Sequence, residues 1–269
     1  MKRAVLTVSA MLSCLVLGSC SRGGTPREVT ITSRDFSFDA PDSIPAGLVT
    51  IHLHNLGPDL HHVWLVRLDE GKTMDDFAAA IQKGAPPAWA VHVGGPNAAI
   101  PNGDNRATMV LQPGLYALLC MIPDTAGVPH AMKGMMRTIR VTGSASSAAL
   151  PASDNELTLK DYDFVFAKAL HKGTQVIRVK NEADQVHEIV VVRLLEGKKA
   201  EDFVAWAFKR QGPPPAELVG GMSGISKGQE SQMSLDLTPG NYAMVCFLPD
   251  AKDGKMHFEH GMVKEVRID

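Results

Sequence analysis

Cysteine is scarce in this chain: four in 269 residues, at positions 14, 20, 120 and 246. That excludes a disulfide scaffold. Net charge is nearly absent too, at −2, which argues against nucleic acid or another polyanion as a partner. The apolar run over residues 4–17 is too short and ends too abruptly for a comfortable membrane span. No Ser-His-Asp arrangement, phosphate loop or paired-carboxylate motif stands out, so the chemistries those motifs serve have no support. What the chain does have is 24 Gly and 17 Pro spread along its length, which imply many turns and a β-rich fold. Its 45% apolar content suffices for one large core or two ordinary ones.

The N-terminus reads as an export signal. Lys2 and Arg3 precede the apolar run, which closes in Leu17-Gly18-Ser19-Cys20. That ending resembles the bacterial lipobox. The resemblance implies a signal peptide over 1–19, lipid on Cys20 as the first mature residue, and a tether over 20–26. Ser21 resembles the sorting position of lipoproteins sent to the outer membrane. The chain is thus expected in the periplasm or cell envelope, held to a membrane by lipid. The plainer alternative is an ordinary signal peptide with an incidental cysteine. With Cys14 removed and Cys20 lipidated, Cys120 and Cys246 remain in an oxidising compartment. A disulfide between them would have to join equivalent loops of two domains across a flexible linker.

Those two cysteines belong to an internal repeat. "VWLVRLDEGKTMDDF" at 63–77 returns as "IVVVRLLEGKKAEDF" at 189–203, "VGG" ends at Gly95 and Gly221, and "QPGLYALLC" returns as "TPGNYAMVC". One offset relates all of these, and a single insertion in the second copy follows the Pro-Asp after each cysteine. The expected domains are 27–142 and 155–269, with a small, polar, Pro-containing linker at 143–154. In copy one, alternating runs rich in Val, Ile, Thr, Phe and Tyr predict strands near 29–32, 36–38, 48–55, 63–68, 106–111, 114–121 and 136–141, repeated in copy two. Each domain is expected to be an antiparallel Greek-key β-sandwich. One short helix is inserted per copy, capped in the first by Thr73 with Asp76, apolar at Phe77 and Ile81, and stopped at Gly84. The helices are expected to pack against the sandwich and not to form a site.

Chemistry concentrates at matched positions. Copy one has His61, Cys120, His130 and Met135; copy two has His187, Cys246, His257 and Met262. Taken singly, a Cys is most often a small buried hydrophobe and a His near a turn is structural. In this order, twice, a thiolate, two imidazoles and a thioether form the ligand set of a blue (type 1) copper centre. The Tyr-x-x-x-Cys strand ends and the "HAMKGM" and "HFEHGM" segments resemble those of cupredoxins such as azurin, plastocyanin and copper nitrite reductase. "HHVW" is similar to the region of azurin's first copper histidine. The Cys-to-His spacing, nine intervening residues in copy one and ten in copy two, is closer to that of copper nitrite reductase than to the small carriers.

The resemblance implies one copper per domain and outer-sphere electron transfer with redox proteins such as cytochromes or respiratory enzymes. It also implies that the edges of His130 and His257 serve as electron ports, the first in an uncharged loop, the second beside Lys252, Asp253, Lys255 and Glu259. Two other functions stay open. One is a copper-dependent oxidase or reductase with an added site at an oligomer interface; the other is a storage, delivery or metal-free binding module. His52 and His54 mimic the His-x-His of multicopper oxidases, but copy two has Arg178 and Lys180 there, so they read as outward-facing strand positions.

Overall fold

The structure, a computed structural model, describes residues 24–82 and 87–269. The signal segment with Cys14 and Cys20, and the expected helix stop Gly84, lie outside the described residues. The first half comprises β1 (Arg27–Arg34), β2 (Ser37–Asp39), β3 (Ser43–Pro45), β4 (Gly47–Asn55), β5 (Trp64–Leu68), α1 (Met74–Ile81), β6 (Ala90–Gly94), β7 (Asp104–Leu111), β8 (Gly114–Leu119) and β9 (Met136–Thr142). The second comprises β10 (Asn155–Lys160), β11 (Asp163–Phe166), β12 (Gly173–Asn181), β13 (His187–Leu194), α2 (Ala200–Lys209), β14 (Ala216–Ile225), β15 (Glu230–Leu237), β16 (Gly240–Val245) and β17 (Val263–Ile268). Each half is an all-β sandwich with one short helix. Strands β3 and β6 are additions to those expected; β3 is three residues ending in Pro45, which suits an edge strand.

The alternation of Val49, Ile51 and Leu53 inward with His52 and His54 outward in β4 follows the two-residue period of a strand with one face on the core. In contrast, β5 and β13 are apolar on both faces. Val63 and Leu65 enter the inter-sheet core, while Trp64, Val66 and Leu68 meet Phe77 of α1. Val190, Val192 and Leu194 likewise meet Phe203 of α2. Covering both faces of these strands explains their near-continuous apolar sequence. The α1 cap is reciprocal: Asp76 N–H donates to Thr73 Oγ1 at 3.1 Å and Thr73 N–H to Asp76 Oδ2 at 2.9 Å. Most pairs run antiparallel, but β1·β4, β10·β12 and β3·β9 are parallel, a distinction that side-chain alternation does not carry.

The halves are fused. One sheet runs β11-β10-β12-β15-β7-β4-β1-β2 and the other β17-β16-β13-β14-β6-β5-β8-β9-β3, so both pass through the two copies. The joints are β15·β7, with Met233 opposite Ala107, and β14·β6, with Ile225 opposite Val93, next to which Met222 bridges Pro96. Ala107 with Met233 and Pro96 with Met222 each pair one repeat position with its own counterpart, so a pseudo-twofold axis passes between the copies. The double glycines sit at this axis. A Cβ on Gly95 (φ +148°) would lie 2.2 Å from the Val63 carbonyl oxygen, and one on Gly221 (φ +143°) 2.1 Å from that of Ile189, so only glycine permits the approach.

The linker is not the loose connection expected. Ser146 exchanges backbone hydrogen bonds with the Gln112 side chain, and the Pro151 carbonyl accepts from Gln232 and Arg178. Leu150 is buried. Polar side chains of both copies pin the segment to the sheet.

Candidate metal centre

Each cysteine directly follows a strand, His61 lies just before one and His187 opens one, and the remaining two positions lie on the loop between the last strands of the half. Asn55 staples the approach to His61 by donating to the carbonyls of Asp59 and Ala99; Asn181 does the same through Gln185 and Ile225. Backbone bonds then tie the loop together. Cys120 N–H donates to the Met135 carbonyl, Ala131 N–H to that of Cys120, and Met135 N–H to that of His130. Copy two repeats all three through Cys246, Phe258, His257 and Met262. All eight predicted positions are 0% exposed.

In copy one the donor atoms converge. Cys120 Sγ lies 4.0 Å from His61 Nδ1 and 3.6 Å from His130 Nδ1, and the two nitrogens are 3.1 Å apart. In copy two Cys246 Sγ lies 4.0 Å from His187 Nδ1 and 3.3 Å from His257 Nδ1. Metal–nitrogen bonds of about 2.0–2.1 Å and metal–sulfur bonds of about 2.3 Å place donors of one ion roughly 3–4 Å apart. The sets therefore fit a single small cation each. Met135 and Met262 are in the same buried cluster as the cysteines.

The imidazoles are preset for this. His61 Nε2 donates to Asp35 Oδ1 at 2.6 Å and His187 Nε2 to Asp161 Oδ1 at 2.5 Å, which leaves Nδ1 bare and facing the sulfur. Burial pushes the pKa values of both rings down, against the pull of their aspartates, and takes His257 to about 4. Burial also pushes the Cys120 thiol up to about 12, and Cys246 higher with help from the Glu188 charge. A thiol among imidazole nitrogens suits a cation, since coordination deprotonates a thiol. The backbone N–H groups of His62 and Glu188 each point at the sulfur from 3.5 Å.

Asp35, Asp161, His62, Glu188, Asp59, Arg210 and Asn97 matter to the sites and were not read as such from the sequence. The Asp-aromatic pair at 35–36 returns at 161–162, and its constant offset could have flagged it. Asp35 and Asp161 lie at hairpin tips between β1 and β2 and between β10 and β11. Phe36 packs on His130 at 4.9 Å between centroids, and Tyr162 on His257 at 5.5 Å. Both loop histidines, whose ring edges are the expected electron ports, are fully covered by these caps.

The expectation that the helices only pack is corrected as well. Arg210, which ends α2, forms an ion pair with Asp59, whose other oxygen lies 3.5 Å from His130 Nε2. Burial pushes the Asp59 carboxyl up, but hydrogen bonds from His130 and Leu60 and the Arg210 charge outweigh it and hold it below the usual range. The group Asp250, Asp253 and His260 also clusters, but Asp250 already accepts from Tyr162, Gln185, Lys252 and Asp253. His52 and His54 share the exposed Asp104 carboxylate and stand apart from both centres. Cys120 and Cys246 are both free thiols.

No family model and no curated protein matches the chain. Solved structures do. Dithionite-reduced auracyanin from the photosynthetic bacterium Roseiflexus castenholzii is 21% identical over 45% of this chain and 100% of that one, with a TM-score of 0.33. Auracyanin A, a "blue" copper protein from Chloroflexus aurantiacus, is 21% identical over 44% of this chain and 100% of that one, at 0.32. Blue Copper Oxidase from Nitrosomonas europaea is 15% identical over 91% of this chain and 86% of that one, at 0.26. These TM-scores are low, so the reading of the sites rests on their side chains. In strand layout the two halves are β-sandwiches in tandem, and each brings its His, Cys, His and Met together in the same order.

Proposed function

We propose that each half holds one copper ion, through His61, Cys120, His130 and Met135 and through His187, Cys246, His257 and Met262, and that the chain works in outer-sphere electron transfer. The observation that carries this is the double convergence of two Nδ1 atoms and a sulfur in a fully buried pocket. Copper, when bound, supplies a one-electron Cu(II)/Cu(I) couple. The protein's part is to hold the donors fixed. Asp35 and Asp161 lock ring tautomer and tilt, the amides of His62 and Glu188 moderate the charge on sulfur, and the buried walls exclude water. Full burial leaves no approach for an inner-sphere substrate, which favours a carrier over an oxidase or reductase.

The same reading places the chain in the periplasm or cell envelope, anchored through lipid on Cys20, with redox proteins such as cytochromes or respiratory enzymes as partners. Thiolate-to-Cu(II) charge transfer should colour the copper-loaded protein blue or green. Cys120→Ser should remove about half of that absorption, and adding Cys246→Ser the rest, in keeping with one thiolate per ion. A copper-loaded but colourless wild type would sink the proposal. Cys20→Ala should release the protein from membranes with loss of the lipid mass; membrane retention at unchanged mass would refute the anchor.

A further inference from the structure

The two sites are connected through the pseudo-twofold joint by buried polar side chains. His62 and Glu188 occupy the same repeat position, directly after the first histidine of each set, and are 4% and 5% exposed. Each accepts a hydrogen bond from the amide that follows the cysteine of its own half. Met121 N–H donates to His62 Nε2 at 2.8 Å, and Phe247 N–H to Glu188 Oε1 at 3.2 Å. Beyond His62 the next buried polar side chain is that of Asn97. Asn97 Nδ2 in turn donates to Glu188 Oε2 at 3.3 Å.

Asn97 is 2% exposed and stands next to Pro96, one of the residues on the axis. Its amide cannot turn over freely. Oδ1 accepts from Ala98 N–H at 2.7 Å, and Nδ2 also serves the carbonyls of Ile189 and Met222. Its counterpart Ser223 donates to the Val63 and Pro96 carbonyls instead. Covalent and hydrogen bonds thus run from Cys120 through Met121 to His62, and from Asn97 through Glu188 and Phe247 to Cys246, with one contact step between the His62 and Asn97 side chains. Electronic coupling decays far more slowly through such bonds than through space.

We infer that His62, Asn97 and Glu188 carry electrons between the two metal centres, so that the tandem halves form one internally exchanging unit. The inference rests on the copper reading of both sites. In the step, one electron leaves the reduced centre as the oxidised centre takes it up; no bond breaks and no proton moves. Neither His62 nor Glu188 is a ligand, and neither changes oxidation state; they and Asn97 position the route.

The test uses the detergent-solubilised, copper-loaded full chain carrying Met135→Gln, which separates the two sites in absorption and potential because the axial ligand tunes both. A sub-stoichiometric pulse of reducing radicals should be followed by a relaxation between the bands whose rate does not depend on protein concentration. In that background Asn97→Ser should slow the relaxation several-fold with both bands unchanged, and Glu188→Gln should slow it several-fold beyond what the accompanying shift in the site-two potential accounts for. The single amide oxygen that Glu188→Gln leaves can accept from Phe247 or from Asn97 but not from both. This change also preserves volume, which keeps the test open if Asn97→Ser weakens folding. Unchanged rates with intact bands would overturn the route while leaving the copper reading standing. A parent protein without charge-transfer bands would overturn that reading, and the route with it. In the metal-free chain, Glu188→Ala should speed hydrogen exchange at the Phe247 amide and spare Met121; continued protection of Phe247 would also overturn the route.

Discussion

The two candidate sites share every proposed donor and the aspartate behind the first histidine, yet their surroundings differ in kind. Around site one, Phe36 caps His130, Asp59 is paired with Arg210, and Asp124 is paired with Lys133. Around site two, Tyr162 caps His257 and stacks on His260. Gln185 stands where copy one has Asp59, and Asp250 is held by Tyr162 and Gln185 without a cation. Duplication thus kept what faces the metal position and let the next layer diverge. Asp35 and Asp161 each face a histidine and do not distinguish the sites, but Asp59 and Asp124 near site one are paired with Arg210 and Lys133, whereas Asp250 near site two is held by the neutral Tyr162 and Gln185. Uncompensated negative charge favours the more positive oxidised state, so site two should have the lower midpoint potential of the two.

The largest test of that contrast is Arg210→Ala. It leaves the Asp59 carboxylate unpaired beside His130, and hydrogen bonds to charged groups are each worth about 1.5–3 kcal/mol. Denaturant unfolding should show a loss of about 2 kcal/mol. The site-one potential should fall toward that of site two, and site two should not move. Gln185→Glu, which gives copy two the carboxylate of copy one without its arginine, should lower the site-two potential alone. Equal movement at both sites in either variant would mean that the flanking charges do not set the difference.

This contrast also marks where the sequence stopped being legible. The repeat and the converging His, Cys and Met positions could be read because they recur at one spacing, and the strands because Val49, Ile51 and Leu53 alternate. The fusion of the halves could not. It depends on Gly95, Gly221 and Gly224 admitting a neighbouring backbone or the Trp64 ring, which a lone sequence shows only as glycine. Arg210 follows the last residue of a helix, and its partner Asp59 lies in the other copy, at a separation no periodicity reports. His62 and Glu188 occupy one repeat position with different chemistries, so the comparison that exposed the ligands concealed their shared role as acceptors for the amide after cysteine.

A smaller effect separates the two equivalent aspartates in acid. The Lys133 contact holds Asp124 down to about 2, and the Tyr162 hydroxyl and Gln185 amide hold Asp250 below the usual range as well. A carboxyl depressed by folding contributes stability that is complete above its unfolded value, near 4, and is lost as pH falls through the folded value. Hydrogen exchange in each half should therefore stay slow down to pH values below about 4. Lys133→Met should move the onset of loss upward in the first half only, and Tyr162→Phe in the second only. Added salt should mimic Lys133→Met, because it screens an ion pair, and leave the tyrosine-bound aspartate unaffected. Salt sensitivity in both halves would show that Asp250 depends on a cation after all.

The smallest expected effect is at the docking surfaces. With His130 and His257 buried, a partner meets the caps and the loops around them. Over site one the exposed residues include Val128 and Met132, and Lys133, over the Phe36 ring, is already neutralised by Asp124. Over site two Lys252, Asp253, Lys255 and Glu259 are exposed. Charges of this kind steer encounters over distances set by the Debye length, about 10 Å at 0.1 M salt. Cys246→Ser isolates site one and Cys120→Ser isolates site two, so each can be titrated with salt against the same charged redox reagent. Exchange through site one should vary little, and exchange through site two should vary visibly but modestly, because its mixed signs partly cancel. The sign of the slope then identifies which charges dominate. If rates through site two fall with salt for an anionic reagent and rise for a cationic one, Lys252 and Lys255 lead the encounter. The reverse pattern gives that role to Asp253 and Glu259, and equal slopes at both sites would remove the loops from the docking surface altogether.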